Sequence, residues 1–121
     1  MNEVVFYYDA SGYSEVVELL DDLANEADGG NKNSRINREK ILAYMKALEL
    51  YGTRLGMPFI RHIQDDVWEL RPKRYRLLFW CDSDGKFVFL NWFLKKTKKT
   101  PKREIEKALR MKKDWIERLG E

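Results

Sequence analysis

The segment 87–94 restricts the possible folds more than any other part of the chain. Its sequence, Phe-Val-Phe-Leu-Asn-Trp-Phe-Leu, is apolar on both alternating faces, which is typical of a strand buried inside a sheet. Runs rich in β-branched and aromatic residues precede it at 67–71 and 74–81, and this strand itself extends over 86–95. Because only short turn-forming segments separate the three runs, they predict neighbouring, mostly antiparallel strands.

Helical periodicity dominates the rest of the N-terminal half. Apolar residues recur at helical spacing from Tyr13 to Ala27, and again from Ile41 to Tyr51. The polar, glycine-containing segment 28–34 predicts the turn between these two helices. The pattern therefore predicts a helical hairpin.

The remaining elements complete the predicted order. Residues 4–8 are β-branched and aromatic and predict a first strand, whereas residues 52–66 read as an irregular connection. Thr100 is predicted to cap a final helix, with Pro101 at its first position. The sequence thus predicts a single α+β domain over 1–121, ordered β-α-α-β-β-β-α, with a small sheet packed against helices.

Composition excludes several classes of protein. The chain has 121 residues, 44% hydrophobic and 36% charged, as expected of a soluble globular protein. The single cysteine, Cys81, rules out an internal disulfide and favours the reducing cytoplasm. No run approaches the roughly 20 apolar residues of a membrane span, and the N-terminus does not resemble a signal peptide. With one histidine, one cysteine and no phosphate-binding glycine motif, no metal or cofactor is expected.

The net charge of +3 is unevenly distributed. Residues 1–33 contain eight acids and one lysine, a net charge of −7. Residues 34–90 carry a net charge of +4, and residues 91–121, with eleven bases and five acids, carry +6. This polarity favours an anionic partner near the C-terminal half.

A lysine-rich segment follows the last predicted strand. Lys95, Lys96, Lys98 and Lys99 lie within six residues before Pro101, where the last helix is expected to begin. Lysines beside a helix N-terminus concentrate positive charge and backbone donors, which suits a phosphate-bearing ligand. The alternative is a solvated basic loop.

A second charged group lies on the hairpin formed by 67–71 and 74–81. If the loop is the two residues 72–73, Arg71 faces Arg74 and Glu69 faces Arg76, so that one carboxylate and three guanidinium groups share a face. Two arginines opposite each other would require an anion or solvent between them. The alternative is a simple ion pair between Glu69 and Arg76, and a slip of one residue would change every pair.

These residues resemble a known family of proteins. The motifs Trp68-Glu69-Leu70-Arg71, Tyr75-Arg76 and Phe93-Leu94-Lys95-Lys96-Thr97-Lys98-Lys99-Thr100-Pro101 are similar in order and separation to motifs of the RelE/ParE toxin superfamily, above all its HigB-like, phage-derived branch. The resemblance extends over roughly residues 60–115. It implies a RelE-like fold and the toxin of a type II toxin–antitoxin system.

The resemblance also implies an activity. Relatives such as RelE and HigB cleave mRNA on the ribosome without a metal, by attack of a ribose 2′-OH on the adjacent phosphate. Such a reaction needs a base, positive charge on the phosphate and a proton for the leaving oxygen. Relatives such as ParE inhibit DNA gyrase instead, and this is the alternative function.

Site residues are implied by position within the motifs. Arg76 matches the arginine that contacts the scissile phosphate, and Lys96, or Lys95 beside it, matches a second basic group. Glu69 matches a carboxylate that acts as general base in some relatives. His62, the only histidine, is a candidate acid or base because its pKa is ordinarily near neutrality, although a surface role is the alternative.

Other basic residues are expected to bind RNA. Arg71 of the Glu-Leu-Arg motif is either structural or phosphate-binding, and Arg74, Lys98 and Lys99 are predicted to contact phosphates. The resemblance further implies two partners: an antitoxin, with a helix-turn-helix domain expected, and the 70S ribosome with its mRNA. The expected location is the cytoplasm, with no membrane association.

Overall fold

A computed structural model of the chain describes residues 2–119, and its centre is a five-stranded sheet. The strand order is β1-β5-β4-β3-β2, in which β1 runs parallel to β5 and the other neighbours are antiparallel. The long apolar segment is therefore an interior strand, as predicted. The strands are β1 (Val4–Phe6), β2 (Ile60–Gln64), β3 (Val67–Leu70), β4 (Tyr75–Cys81) and β5 (Phe87–Leu94).

Three α-helices accompany the sheet: α1 (Glu15–Asp28), α2 (Lys32–Tyr51) and α3 (Lys102–Leu119). A short 3-10 helix, Gly52–Leu55, follows α2. The Ser14 hydroxyl caps α1 by accepting a hydrogen bond from the backbone N–H of Val17, at 3.2 Å. Asn31 caps α2 in the same way, so α2 begins at Lys32, within the turn predicted over 28–34.

The helices bury both faces of the sheet. Helices α1 and α2 cover the face that carries Leu70, Leu77 and Phe79, whereas α3 covers the face that carries Leu78 and Trp80. This arrangement confirms the predicted α+β class and is consistent with a RelE-like fold. Within residues 2–119, no helix combines the length and the apolar character needed to cross a membrane.

Strand β2 corrects the prediction of an irregular connection over 52–66. It pairs antiparallel with β3, with Arg61 opposite Glu69 and His62 opposite Trp68. Sequence periodicity did not indicate this strand because it is short, contains Arg, His and Gln, and buries only Ile60 fully. Charged and polar residues of this kind are characteristic of edge strands, where they oppose pairing with other chains.

The predicted register of the β3–β4 hairpin is also wrong. Glu69 lies opposite Leu78, not Arg76, and the loop is longer than two residues. The favoured two-residue loops require a positive φ at their first position, which the ring of Pro72 forbids by fixing φ near −65°. The chain instead reaches its left-handed conformation at Lys73, with φ of 54°, and the Tyr75 N–H closes the turn on Pro72 O at 3.0 Å.

A polar contact ties the N-terminal segment to α3. The buried Tyr7 hydroxyl donates a hydrogen bond to Asp114 at 2.6 Å, and Arg118 donates to the same carboxylate oxygen at 2.9 Å. Burial first, and then the Asp114 carboxylate, raise the pKa of Tyr7 to about 12. The phenol is therefore neutral at physiological pH and acts as a donor.

We expect Tyr7→Phe to lower the free energy of unfolding by on the order of 1 kcal/mol at neutral pH, because the hydrogen bond is lost. The pKa of Tyr7 is raised in the folded chain from about 10 in the unfolded chain. The stabilisation is therefore complete below about pH 10 and is lost as pH rises toward 12. Urea unfolding of both proteins across this range should show their difference shrinking, and a constant difference would contradict the assignment.

Candidate functional site

The centre of the site is a buried carboxylate on β3. Glu69 is 1% exposed, and its Oε2 accepts a hydrogen bond from the Thr100 hydroxyl at 2.7 Å. Its Oε1 lies 3.6 Å from Arg61 Nη2 and 3.5 Å from Arg71 Nε. Three separate segments, β2, the end of β3 and the residues before α3, therefore meet at one carboxylate.

The carboxylate is compensated in charge but not fully in hydrogen bonds. Burying an ionised carboxylate is costly unless it is paired, and Arg61 and Arg71 supply that pairing. However, neither Glu69 Oε1 nor Arg71 Nε has a hydrogen-bond partner, although both atoms are buried. The two atoms lie 3.5 Å apart as an ion pair whose geometry does not make a hydrogen bond, so Arg71 Nε stays available as a donor and Glu69 Oε1 as an acceptor.

Arg76 is the most unusual group of the site. It is only 6% exposed, and its Nη1 donates to the carbonyl oxygens of Lys73 and Tyr75, each at 2.8 Å. None of the ion pairs among residues 2–119 includes it. Burial first, and then the charges of Arg71 and Arg61, lower the pKa of Arg76, against the opposing effect of Glu69. A buried cation that lacks a close carboxylate is suited to bind an anion.

The lysine segment closes over this cation. A cavity of about 10 Å³ lies beside Arg76, and its lining includes Glu69, Arg71, Lys95, Lys98 and Lys99. That volume is roughly enough for a single water molecule. Because a phosphate group is larger, binding one there requires the lysine segment or the arginine side chains to move.

Two predicted residues lie outside this cluster. Lys96 lines a neighbouring groove rather than the cavity beside Arg76. Arg74 is exposed, and its Nη2 reaches the carbonyl oxygen of Lys95 only at 3.4 Å. The prediction that Arg71, Arg74 and Arg76 share one face was therefore wrong for Arg74, because the register of the hairpin differs.

Sequence reasoning missed Arg61 and misassigned Thr100. Arg61 is the third guanidinium of the cluster, and its Nη2 donates to the Thr100 hydroxyl at 2.8 Å. Thr100 does not cap α3 as predicted: the carbonyl oxygen of Pro101 accepts the first helical hydrogen bonds, from Glu104 and Ile105, while the Thr100 hydroxyl serves Glu69. Recognition of β2 as a strand would have placed Arg61 on the face of Glu69.

His62 lies at the margin of the cluster, where it lines an open groove of about 270 Å³ with Arg61, Lys99 and Thr100, but it is not part of the cavity beside Arg76. His62 and Arg61 are consecutive on β2, so their side chains leave opposite faces of the sheet. The His62 ring packs edge-on against Trp68, with 5.0 Å between ring centres, and its Nε2 lies 2.5 Å from Asp65 O. A role of His62 in proton transfer stays a prediction.

The chemistry of the site is that of fixed positive charge. Over the described range 2–119, no group of three or more histidine, cysteine, aspartate or glutamate side chains is placed to hold a metal ion. The cluster combines three guanidinium groups with one carboxylate, and lysines surround its opening. Such an arrangement can bind a phosphate and stabilise negative charge that develops on it.

We expect Thr100→Val to destabilise the chain by about 1–3 kcal/mol, because Glu69 Oε2 would lose its donor while staying buried. Thr100→Ser is the matched control, since it keeps the hydroxyl and removes only a methyl group. Urea unfolding of both variants measures the difference. Equal stability of the two would show that the hydroxyl does not support the carboxylate.

The model of the phage-derived, Gp49-like protein family (DUF891) matches residues 31–113. The match covers more than half of the chain and includes every residue of the site. No curated protein matches the chain. The chain therefore belongs to the phage-derived Gp49-like family, a family of RelE-like toxins.

Proposed function

We propose that this chain is the toxin of a type II toxin–antitoxin system, of the HigB-like branch, and that it is a metal-independent endoribonuclease acting on mRNA in the ribosome. The observation that carries the proposal is Arg76, a buried guanidinium without a close carboxylate, in a cluster lined by lysines. Membership of a RelE-like toxin family supports the same function.

The proposed reaction uses this charge directly. The ribose 2′-oxygen attacks the adjacent phosphorus, the bond from phosphorus to the 5′-oxygen breaks, and the products are a 2′,3′-cyclic phosphate and a 5′-hydroxyl. Negative charge increases on the phosphate oxygens in the transition state. Arg76, with Arg71 and Lys95 at the same cavity, would stabilise that charge in a partly water-excluded place, where such stabilisation is strongest.

Proton transfer is assigned to the groups nearest the phosphate position. Glu69 Oε1 is the proposed acceptor of the 2′-OH proton, because it is the carboxylate oxygen in the cluster without a hydrogen bond. A lysine of the segment, Lys95 or Lys98, would donate the proton to the leaving 5′-oxygen. The proposal gives no role to His62, since its ring packs on Trp68 on the other face of the sheet.

The expected partners of the toxin are the ribosome with its mRNA and an antitoxin. The excess of positive charge in residues 91–121 would dock on ribosomal RNA, so binding to the ribosome should weaken steeply with salt. An antitoxin, with a helix-turn-helix domain expected, would neutralise the toxin in the cytoplasm.

A second candidate function is inhibition of DNA gyrase, as in ParE-like proteins. The observation that favours it is the lining of the cavity beside Arg76, which contains lysines, arginines, threonines, Phe93 and Glu69 but no histidine or tyrosine. A gyrase inhibitor needs no proton-transfer groups. A supercoiling assay with purified gyrase distinguishes the two functions, because an mRNA nuclease should leave supercoiling unchanged.

We expect Arg76→Ala to reduce mRNA cleavage by at least about 100-fold, because the transition state loses its buried cation. Primer extension on a defined mRNA in a purified translation system, with and without ribosomes, measures the cuts. Arg35→Ala is the matched control, since Arg35 is exposed on α2, on the opposite face of the sheet. Circular dichroism and thermal unfolding would verify that both variants are folded.

Each outcome of this experiment has a distinct meaning. Ribosome-dependent cuts by the wild type and the Arg35 variant, but not by the Arg76 variant, would support the proposal. Unchanged cleavage by a folded Arg76→Ala protein would remove its central residue. Cuts without ribosomes would indicate a free ribonuclease, and the absence of cuts in the wild type would favour gyrase as the target.

A further inference from the structure

A groove of about 300 Å³ opens beside the end of β5 and the first turn of α3. This volume is at the lower end of the range for small-molecule sites, about 300–1,000 Å³. Its lining combines apolar residues of the strand with charged residues of the lysine segment and the helix. The lining includes Phe93, Leu94, Lys96, Thr97, Lys99, Arg103 and Glu104.

The groove exists because β1 is short. The parallel pairing of β1 with β5 ends at Phe89, so the last residues of β5 have no neighbouring strand on that side within residues 2–119. This edge leaves part of Phe93 and nearly half of Leu94 accessible. An aromatic ring beside an open strand edge provides a flat apolar surface.

The groove continues the site around Arg76. Phe93, Thr97 and Lys99 line both the groove and the cavity beside Arg76, so the two depressions share a wall. An extended ligand with its phosphate at Arg76 would therefore place its next group in the groove. Positive charge also predominates at the groove, where Lys96, Lys99 and Arg103 outnumber Glu104.

The carboxylate of Glu104 is held in a defined position. The amide of Asn91, which is fully buried, donates to Glu104 Oε1 at 3.1 Å and to the Glu104 carbonyl oxygen at 3.1 Å. The other oxygen, Oε2, has Arg103 Nε at 3.8 Å, a long and solvent-exposed contact. A fixed carboxylate at the groove can accept a hydrogen bond from an exocyclic amino group.

An apolar aromatic surface with surrounding cations is the chemistry that binds single-stranded nucleotides. We propose that the groove binds the nucleobase next to the phosphate held at Arg76, an assignment of that phosphate that rests on the proposed function. Glu104 then selects bases that carry an amino group, such as cytosine, over uracil, which presents a carbonyl oxygen at the same place. Glu104 is thus a specificity-determining residue.

The test is a nuclear magnetic resonance titration of the full-length, ¹⁵N-labelled chain with cytidine 5′-monophosphate, uridine 5′-monophosphate and ribose 5-phosphate. We expect backbone signals of residues 92–97 and 103–104 to shift with the nucleotides. The dissociation constant of the cytidine nucleotide should be at least about fivefold lower than that of ribose 5-phosphate, because only the nucleotide carries a stacking base. It should also be about fivefold lower than that of the uridine nucleotide.

Two comparisons between variants assign nucleotide binding to individual residues of the groove. Glu104→Gln places an amide donor where Oε2 lies, so the preference for cytidine over uridine should disappear or reverse relative to wild type. Arg103→Ala should weaken the binding of both nucleotides about two- to fivefold. Lys102→Ala is its matched control, since it removes the same charge from the same helical turn but does not line the groove.

Several results would overturn the proposal. One is equal affinity for the nucleotides and for ribose 5-phosphate, and another is the absence of signal shifts in the groove. A third is a set of shifts produced by a poly-glutamate peptide and not by nucleotides, which would assign the groove to a protein partner. If the chain cleaves mRNA but its affinity for nucleotides does not depend on the base, only the proposal for the groove is contradicted. Base-dependent binding in a chain that cleaves no mRNA supports the groove and contradicts the proposed nuclease.

Discussion

The buried carboxylate of Glu69 is the interaction on which the arrangement of the site depends. It holds Arg61 of the edge strand, Arg71 at the end of β3 and Thr100 before α3 around one point. A charge of this kind is tolerated inside a protein only when partners surround it, so these three segments cannot separate without exposing or stranding it. The lysine segment, which ends at Thr100, is anchored over Arg76 as a consequence.

The same cluster carries more positive charge than folding alone requires. One carboxylate faces three guanidinium groups, and the lowered pKa of Arg76 reflects its burial and the repulsion from its neighbours. Glu69 Oε1 and Arg71 Nε are also left without hydrogen bonds. Local conflicts of this kind concentrate at functional sites, because a ligand resolves them. An anion would accept a hydrogen bond from Arg71 Nε and offset the excess of positive charge, whereas Glu69 Oε1 would need a donor such as a ribose hydroxyl.

Periodicity in the sequence predicted most helices and strands. It did not predict strand β2, which has no apolar pattern, or the register of the β3–β4 hairpin, which depends on the conformation of a single loop. The three helices and the strands β1, β3, β4 and β5 have clear apolar patterns, and the α+β class follows from them. Strand β2 has no such pattern, so Arg61 was missed. The register of the hairpin was mispredicted because it depends on how Pro72 shapes the loop. Which lysine accompanies Arg76 depends on the irregular pairing of β5 near Leu90, which interrupts strand alternation.

The size of the two depressions sets an order of events for the proposed function. The groove is open and about 300 Å³ in volume, whereas the cavity beside Arg76 holds about 10 Å³. In the proposed function, a nucleotide could therefore enter the groove first, and its phosphate would reach Arg76 only after the lysine segment or the arginine side chains move. If the lysine segment moves far enough to break the hydrogen bond from Thr100 to Glu69, the cost would be about 1–3 kcal/mol. Charge-assisted hydrogen bonds from Arg76 and Arg71 offset that cost only for a phosphate that is already correctly placed. A surface that positions the mRNA, as the ribosome does, would therefore favour cleavage over that of free RNA.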